Sequence, residues 1–307
     1  MIKDSLKLKE LFLSLGYNEE DYKKIINNYS LENYKEETLY SKVLSVYNYL
    51  ISLNYTKDEV IKMTKMFPAI YGLSIENMKQ KIEDVMSLGY TKEEVMKITK
   101  KSPAIYGYSI ENMKQKIEDL IELGYTKDEV IKMTKTLPTI YNYNIENIKQ
   151  KIEDVMSLGY TKEEIIKMTK TLPTIYSYNI ENIKQKIEGI MELGYTKEEV
   201  IKMTKTLPTI FGLSIENLRG KIEFYDSIDM HNLAIIDPKQ LMQSTALSYA
   251  RYMFYKERGI DININNYRKI FTGQKQFKKS YGITNKELLE MYNYNKYLEE
   301  KNNGRII

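Results

Sequence analysis

Residues 125–159 read YTKDEVIKMTKTLPTIYNYNIENIKQKIEDVMSLG, and residues 160–194 repeat this string at 29 of 35 positions. A looser copy begins at Tyr17, and a decayed copy after residue 220 has Pro238 in the role of the central proline. Near-identical units between degenerate ones are typical of a solenoid, whose terminal repeats must face water on one side. The prolines that mark the period, 35 residues apart, are Pro68, Pro103, Pro138, Pro173 and Pro208.

Each unit is predicted to form two helices separated by a proline. The first helix opens with a capping box, in which Thr56 is the N-cap and Glu59 follows three residues later. Pro68 ends this helix, because proline disfavours helical geometry in the residue before it. A Pro-Ala-Ile-Tyr turn, interpreted as one turn of 3₁₀ helix, leads to Ser74, which is a good N-cap for the second helix. Gly89 suits the left-handed position that closes the second helix.

The sequence therefore predicts an all-α fold, an α-solenoid (superhelix) of about seven 35-residue helix-turn-helix repeats, each with a short 3₁₀ helix. We expect residues 1–54 to form an N-terminal cap and a degenerate first repeat, and residues 55–229 to form five regular repeats. A degenerate seventh repeat is expected over residues 230–260, followed by a basic C-terminal helical cap over residues 261–307.

Helical spacing also predicts which side chains form the core. At 100° per residue, the apolar residues of each helix fall on one stripe. We interpret the methionines and tyrosines as packing residues, rather than as a ligand site or as platforms on which bases stack. The core positions predicted for the first regular repeat are Val60, Met63, Thr64, Phe67, Ile75, Met78, Ile82, Val85 and Met86.

The residue inventory excludes several classes of function. Cysteine is absent, which rules out disulfides, thiolate metal sites and thiol nucleophiles. His231 is the single histidine, and its place in an irregular segment favours a structural role. No Gly-rich phosphate loop, zinc-protease motif or nucleophile elbow is present. We therefore expect a protein that is not an enzyme and that uses no cofactor, metal or small-molecule substrate.

Hydropathy gives no indication of a membrane protein. No run of eighteen apolar residues is present, and the first segment, MIKDSLKLKELFLSLGY, lacks the apolar core of a signal peptide. These observations predict a cytoplasmic protein that does not enter a membrane, and we expect it to be a monomer.

Charge is unevenly distributed along the chain. Residues 219–307 hold 15 Lys/Arg and 10 Asp/Glu, a net charge of +5, whereas the first 218 residues hold 31 and 32, a net charge of −1. This asymmetry indicates a polyanionic partner for the C-terminal segment. The candidate anchor residues there are Arg251, Arg258, Arg268, Lys269, Lys275, Lys278 and Lys279.

One lysine of each first helix has no acidic neighbour on its own helix. Asp58 precedes Lys62 by four residues, the favourable orientation for an intrahelical ion pair, whereas Lys65 has no acid three or four residues before it. Stacked repeats would align such lysines along a phosphate backbone, and five phosphate contacts would give a salt-dependence slope of roughly −4.5 for duplex DNA. Alternatively, the lysines improve solubility and stabilise helix C-termini. The equivalents of Lys65 are Lys100, Lys135, Lys170 and Lys205, with Lys101 added in one unit.

Sequence specificity would have to come from positions that vary between units. The varying positions cluster around the central proline. Those before the proline are Met66-Phe67, Lys101-Ser102 and Thr136-Leu137. Two interpretations are open for the position that follows the proline. It could form a readout code with one residue per base, or it could be a loop position that requires positive φ. The residues at this position are Gly72, Gly107, Asn142, Ser177 and Gly212.

The units resemble the repeat of the mitochondrial transcription termination factor (mTERF) family. The resemblance rests on LGYTKEE at residues 158–164, which opens a helix, on the central proline, and on SIENLRGKIE at residues 214–223, which opens the next helix. It covers about residues 10–260. It implies a left-handed superhelix whose basic concave surface grips double-stranded nucleic acid. The matching basic positions are the first-helix lysines and, on the second helices, Lys79, Lys114, Lys149 and Lys184.

Three departures from the family pattern qualify this expectation. The chain shows no transit peptide, its repeats are nearly identical, and its repeat region has no net positive charge. The first departure favours a bacterial, phage or cytosolic setting. We predict a transcription-related protein that binds double-stranded DNA. The alternatives are a scaffold that docks a peptide in a Tyr-rich groove and a protein that binds structured RNA.

Overall fold

A computed structural model describes residues 5–302 of the chain. Within this range all regular secondary structure is α-helical or 3₁₀-helical, and it confirms the predicted all-α solenoid. The chain divides into two compact units, residues 1–150 and residues 151–307.

The first unit begins with four helical segments that precede the regular repeats. They are α1 (Leu6–Leu15), α2 (Glu19–Ile26), a 3₁₀ helix (Tyr29–Leu31) and α3 (Glu36–Ser52). The order α2, 3₁₀ helix and α3 is the order found in every regular repeat.

Each regular repeat consists of a first helix, a 3₁₀ helix that starts at the central proline, and a second helix. The first helices are α4 (Lys57–Met66), α6 (Lys92–Lys101), α8 (Lys127–Thr136), α10 (Lys162–Thr171) and α12 (Lys197–Thr206). The second helices are α5 (Ile75–Ser87), α7 (Ile110–Glu122), α9 (Ile145–Ser157), α11 (Ile180–Met191) and α13 (Ile215–Asp226). The 3₁₀ helices are Pro68–Gly72, Pro103–Gly107, Pro138–Asn142, Pro173–Ser177 and Pro208–Gly212.

The C-terminal part keeps this order once more and then departs from it. The short α14 (Leu233–Ile236) is followed by a 3₁₀ helix (Pro238–Met242) and by α15 (Thr245–Lys256). The remaining elements are a 3₁₀ helix (Tyr267–Phe271), α16 (Gln274–Tyr281), α17 (Asn285–Met291) and α18 (Tyr294–Asn302). The predicted divisions at residues 54, 229 and 260 stay predictions.

The helix boundaries follow the capping chemistry predicted from sequence. The Thr56 side chain accepts from the Glu59 backbone N–H while the Glu59 carboxylate accepts from the Thr56 N–H, and each regular first helix has the same box. Ser74 caps the second helix by accepting from the backbone N–H of Asn77. Gly89 closes that helix with a φ of 114°, in the left-handed region that glycine occupies without steric cost.

The last second helix ends on a different residue. In the middle repeats glycine holds this position after the second helix. After α13 the position holds Asp229, whose φ is 54°, and after α3 it holds Asn54, whose φ is 66°. Asp and Asn are the residues after glycine that tolerate this conformation best.

Buried hydroxyl pairs connect successive repeats within the first unit. The Tyr17 hydroxyl lies 2.8 Å from the Thr64 Oγ1 and 2.7 Å from the Tyr71 hydroxyl. The Tyr55 hydroxyl lies 2.6 Å from the Thr99 Oγ1, so the pattern recurs one repeat later. All of these residues are at most 6% exposed, which confirms that the tyrosines are packing residues. Burial raises the pKa of Tyr17 to about 12, so its hydroxyl stays protonated and can donate.

The predicted core stripe is correct for most of its positions and wrong at one end. Val60, Met63, Ile82 and Val85 are buried, but Met86 is 38% exposed. Met86 follows Val85 directly and is therefore rotated by 100° from it, beyond the part of the helix that the neighbouring repeats cover.

Candidate nucleic-acid interface

Three neighbouring first helices line a basic groove in the first unit. It has a volume of about 550 Å³. Five of its seven lining residues are lysines and one is a glutamate, so its surface is strongly basic. The lining residues of this surface, which we call the lysine groove, are Glu59, Lys62, Met66, Lys97, Lys100, Lys101 and Lys135.

The repeat period positions these lysines together. Lys62 and Lys65 are three residues apart, which places them on one face of α4. The helix α4 packs on α6, and α6 packs on α8, so the corresponding turns of successive first helices lie side by side. Lys100, Lys101 and Lys135 lie in the last turns of their helices, where the helix dipole favours cations.

The interpretation that Lys65 and its equivalents lack an acidic partner is wrong. Each described pair joins the lysine to the capping-box acid of the preceding repeat: Lys65 to Asp21, Lys100 to Glu59, and Lys135 to Glu94, the last with 2.5 Å between Nζ and Oε1. In the second unit, Lys205 Nζ lies 2.7 Å from the Glu164 carboxylate, and Lys170 is not free either. For Lys100, Lys135 and Lys205 the acid is 41 residues away in sequence, so a search within one helix could not find it.

These ion pairs keep the capping acids charged. The Lys100 ammonium holds the pKa of the Glu59 carboxyl below its usual value, and the Thr56 backbone N–H adds to the effect. Lys135 lowers the pKa of Glu94 in the same way. Each such glutamate therefore has two tasks, capping its own helix and binding the lysine of the next repeat.

The first-helix lysines predicted to form intrahelical ion pairs with acids of their own helix form none in the described part of the chain. Among residues 5–302, the predicted pair between Asp58 and Lys62 does not form, and neither do its equivalents in the other regular repeats. All five lysines at this position are exposed. An intrahelical pair at the surface contributes only about 0.3–0.5 kcal/mol, too little to fix two long side chains. In the first unit this position holds Lys62, Lys97 and Lys132, which we call the outer lysine row, and in the second unit it holds Lys167 and Lys202.

The comparison with known families agrees with this repeat pattern. A sequence model of the mTERF family matches residues 84–190 and again residues 118–231. The chain is an mTERF family repeat protein. A search of the curated proteins finds no match to it. The mTERF family is a repeat family that binds nucleic acids and is not enzymatic.

The second-helix lysines that the mTERF resemblance implied lie outside the lysine groove. All seven residues that line the groove belong to first helices. Lys149 is exposed and pairs with Glu146 at 2.8 Å, which raises its pKa. Its equivalents Lys79, Lys114 and Lys184 are exposed as well. Their role in binding stays a prediction.

A different second-helix lysine of the mTERF repeat has a structural task that the sequence did not reveal. Lys81 Nζ donates to the Tyr108 carbonyl oxygen of the next repeat, at 2.5 Å, and Lys221 donates to the Gln243 carbonyl. Lys116, at the same position, is 8% exposed and lies 3.5 Å from Asp119. Burial lowers the pKa of Lys221. Lys81 and Lys221 thus connect neighbouring repeats, and Lys116 is buried beside an acid of its own helix.

The predicted basic anchor of the C-terminal segment is wrong for Arg251. Its side chain is buried, and its guanidinium donates to the carbonyl oxygens of Ile270 and Thr272 and to Asn285 Oδ1. Arg258 is exposed but stacks on Phe254, with 3.5 Å between its guanidinium carbon and the ring centroid. The anchor residues that are exposed without such a stacking contact are Lys269, Lys275, Lys278 and Lys279, and Arg268 is exposed beside the ring of Tyr267.

The variable position after the central proline of the mTERF repeat does not adopt positive φ. In the part of the chain that the structure describes, none of the five residues at this position lies in the left-handed region, so that interpretation is wrong. A Cβ at Gly107 would lie 3.2 Å from Phe67 Cζ, and Asn142 Nδ2 donates to the Tyr108 hydroxyl. At Gly107 and Asn142 this position therefore contacts an aromatic side chain of the preceding repeat.

His231 has a structural environment. Its Nδ1 lies 2.6 Å from Asp226 Oδ1, and its ring stacks on Tyr195 with 4.4 Å between centroids. Among residues 5–302 no group of His, Asp and Glu side chains is arranged to hold a metal ion. Within that range, too, every helix is too short or too polar to cross a lipid bilayer.

Proposed function

We propose that this mTERF protein binds double-stranded DNA without catalysis and that the lysine groove contacts the phosphate backbone. The observation that carries the proposal is the composition of the groove, in which five lysines face one glutamate. Lys62 and Lys97 of the outer lysine row line it and are exposed. Because neither forms an ion pair among the described residues, a phosphate can bind them without first displacing a carboxylate.

The structure supports contact with phosphates more than readout of bases. Lysine ammonium groups bind phosphate oxygens as point charges, and such contacts fix a protein on a duplex without reading its sequence. Lys100 and Lys135 reach phosphates only by exchanging Glu59 and Glu94 for them, so we expect them to contribute less than the outer lysine row. A transcription-related role would follow from duplex binding. That the protein acts as a cytoplasmic monomer stays a prediction.

A salt titration tests the proposal. Fluorescence anisotropy with a labelled random-sequence DNA duplex should show an affinity that falls steeply between about 50 and 200 mM salt. Replacing Lys62 and Lys97 together by Gln should flatten the plot of log K against log salt by roughly 1.8, the value for two lost phosphate contacts. Binding that is undetectable or independent of salt would contradict the proposal.

A matched control separates the groove from the rest of the surface. Replacing Lys79 and Lys114 together by Gln removes the same charge from exposed second-helix positions of the same unit. We expect this variant to lose much less affinity than the groove variant. Equal losses in the two variants would mean that net charge, and not the groove, determines binding. If an RNA duplex of the same sequence bound more tightly than the DNA duplex, the ligand would be RNA and not DNA.

A further inference from the structure

The second helices expose one apolar side chain at the same position in successive repeats. In the first unit these are Ile51 on α3, Met86 on α5 and Ile121 on α7, which are 38%, 38% and 40% exposed. In the second unit the position holds Met156 and Met191, both exposed to a similar degree. We call Ile51, Met86 and Ile121 the apolar stripe.

The apolar stripe is continuous across three helices. The helices α3, α5 and α7 pack side by side, so residues at one position of the repeat are neighbours on the surface. Leu44, which is also exposed, lies seven residues before Ile51 and extends the stripe along α3. Single exposed apolar side chains are ordinary on protein surfaces, but a contiguous row of them indicates an interaction site.

The C-terminal halves of α5 and α7 are acidic. Glu83 precedes Met86 by three residues, and Glu118 and Glu122 flank Ile121; all three are exposed. The nearest basic residues are engaged elsewhere: Lys81 with the Tyr108 carbonyl and Lys116 with Asp119.

Basic side chains that remain exposed lie further along the helices. Lys79 and Lys114 stand two helical turns before Met86 and Ile121, nearer the helix N-termini. Along α5 and α7, carboxylates therefore stand within three residues of Met86 and Ile121, whereas the exposed lysines of these two helices are seven residues away.

We propose that the apolar stripe docks an amphipathic helix of a protein partner, with apolar residues against the stripe and Lys or Arg beside them. The acidic flanks favour a basic partner and repel the phosphates of nucleic acids and of anionic membranes. A surface of this kind recognises a partner helix through the apolar side chains that the helix presents at helical spacing. Methionine can adapt its shape to different ligands. This interaction is independent of DNA binding by the lysine groove.

The second unit shows where such a row ends. The position that holds Met156 and Met191 is occupied on the next second helix, α13, by Asp226. The Asp226 carboxylate binds His231 and cannot serve as an apolar contact. Apolar exposure at this position is therefore a property of particular repeats and does not follow from the repeat architecture.

Peptide binding to the full chain tests the proposal. The probe is a fluorescein-labelled helical peptide of Leu and Lys with Leu at every third and fourth position. Its controls are the same pattern built from Leu and Glu, and a scrambled Leu/Lys peptide. We expect saturable binding of the patterned Leu/Lys peptide alone. The double variant M86Q/I121Q should weaken this binding by about tenfold, since both anchors lie at the surface.

Further controls distinguish the possible outcomes. Met291→Gln changes an apolar residue of similar exposure outside the stripe and should leave peptide binding unchanged. Circular dichroism should show the same melting temperature for M86Q/I121Q as for the wild type. Equal binding of the scrambled peptide, or an unchanged affinity in M86Q/I121Q, would overturn the proposal. So would self-association in sedimentation that M86Q/I121Q abolishes, because the occupant would then be a second copy of the chain.

Discussion

Two sets of lysines, one on each helix of the repeat, have the same charge and opposite surroundings. On the first helices, Lys62 and Lys97 are exposed and form no ion pair among the described residues. On the second helices, Lys116 and Lys221 are buried, and Lys221 binds the Gln243 carbonyl of the neighbouring repeat. The number of lysines per repeat therefore does not measure the charge available to a ligand, because half-buried and buried lysines serve the contacts between repeats.

The C-terminal segment shows the same contrast within one cluster. Arg251 is buried and joins three separate segments, whereas Arg268 and Lys275 are exposed. The basic C-terminal segment thus contains one buried cation that joins parts of the fold and other cations that lie on the surface. Substitutions of buried cations and of exposed cations should therefore differ in their effects on stability and on binding.

The largest loss of stability is expected from Arg251→Met. It removes every hydrogen bond of the guanidinium and leaves the buried carbonyl of Ile270 without this donor. Hydrogen bonds to charged groups contribute about 1.5–3 kcal/mol each, so we expect a loss of about 3 kcal/mol or more in denaturant unfolding. Arg268→Met, at an exposed position, should change stability by less than about 0.5 kcal/mol. Similar losses in the two variants would contradict a structural role that is specific to Arg251.

A loss of similar size is expected at alkaline pH from the buried tyrosines. Burial raises the pKa of Tyr17 and Tyr160 to about 12 in the folded protein, whereas an unfolded tyrosine titrates near pH 10. Their stabilising contribution is therefore fully present below pH 10 and is lost as the pH rises from about 10 to 12.

Melting curves across this pH range check the prediction. For each tyrosine the loss should approach about 3 kcal/mol, since one pKa unit corresponds to about 1.36 kcal/mol. Tyr160→Phe should reduce the pH dependence, while Tyr29→Phe, at an exposed position, should leave it unchanged. A melting temperature that does not change between pH 10 and 12 would contradict the burial of these hydroxyls.

A smaller loss is expected from Lys221→Met. The substitution keeps the apolar part of the side chain but leaves the Gln243 carbonyl without its donor, at a cost of about 1–3 kcal/mol. Arg219→Met, on the exposed side of the same helix, is the matched control for loss of charge. DNA affinity should be equal in the two variants. If Arg219→Met destabilised the protein as much as Lys221→Met, the carbonyl contact would not explain the effect.

The smallest effect on stability is expected from Lys97→Gln. Lys97 is exposed and has no ion pair within the described range, so stability should change by less than about 0.5 kcal/mol while DNA affinity falls. Lys100→Gln should cost more stability, up to about 1 kcal/mol, and less affinity, because Lys100 is already bound to Glu59. The reverse order of affinities in anisotropy would show that the paired lysines, and not the outer lysine row, meet the phosphates.

Local signals in the sequence identified the helices reliably. The capping boxes at Thr56 and its equivalents, the stop at Pro68 and the left-handed Gly89 all act within a few residues, so their effect does not depend on the rest of the chain. The mTERF family could be identified from the same motifs. The lysines of the groove were found only in part. Lys100, Lys101 and Lys135 were predicted, whereas Lys62 and Lys97 were assigned to intrahelical pairs.

The errors share one physical cause. Helical spacing predicts acidic partners three or four residues away on the same helix, but the partner of Lys100 is Glu59 of the preceding repeat. The Lys62–Lys65 spacing was the available signal, because it places two lysines on one helix face in each repeat. Met86 was placed in the core because helical periodicity gives a direction but does not say how far the neighbouring repeat extends over it.

The sequence by itself determined the period, the helices and their ends, since these depend on contacts between residues that are close along the chain. Only the tertiary structure decided which lysines are occupied, that Arg251 is internal, and that the second helices expose an apolar stripe. Each of these properties depends on what a neighbouring repeat or segment places against the side chain. Charge and hydropathy are properties of a residue, whereas its partner and its exposure are properties of the packed chain.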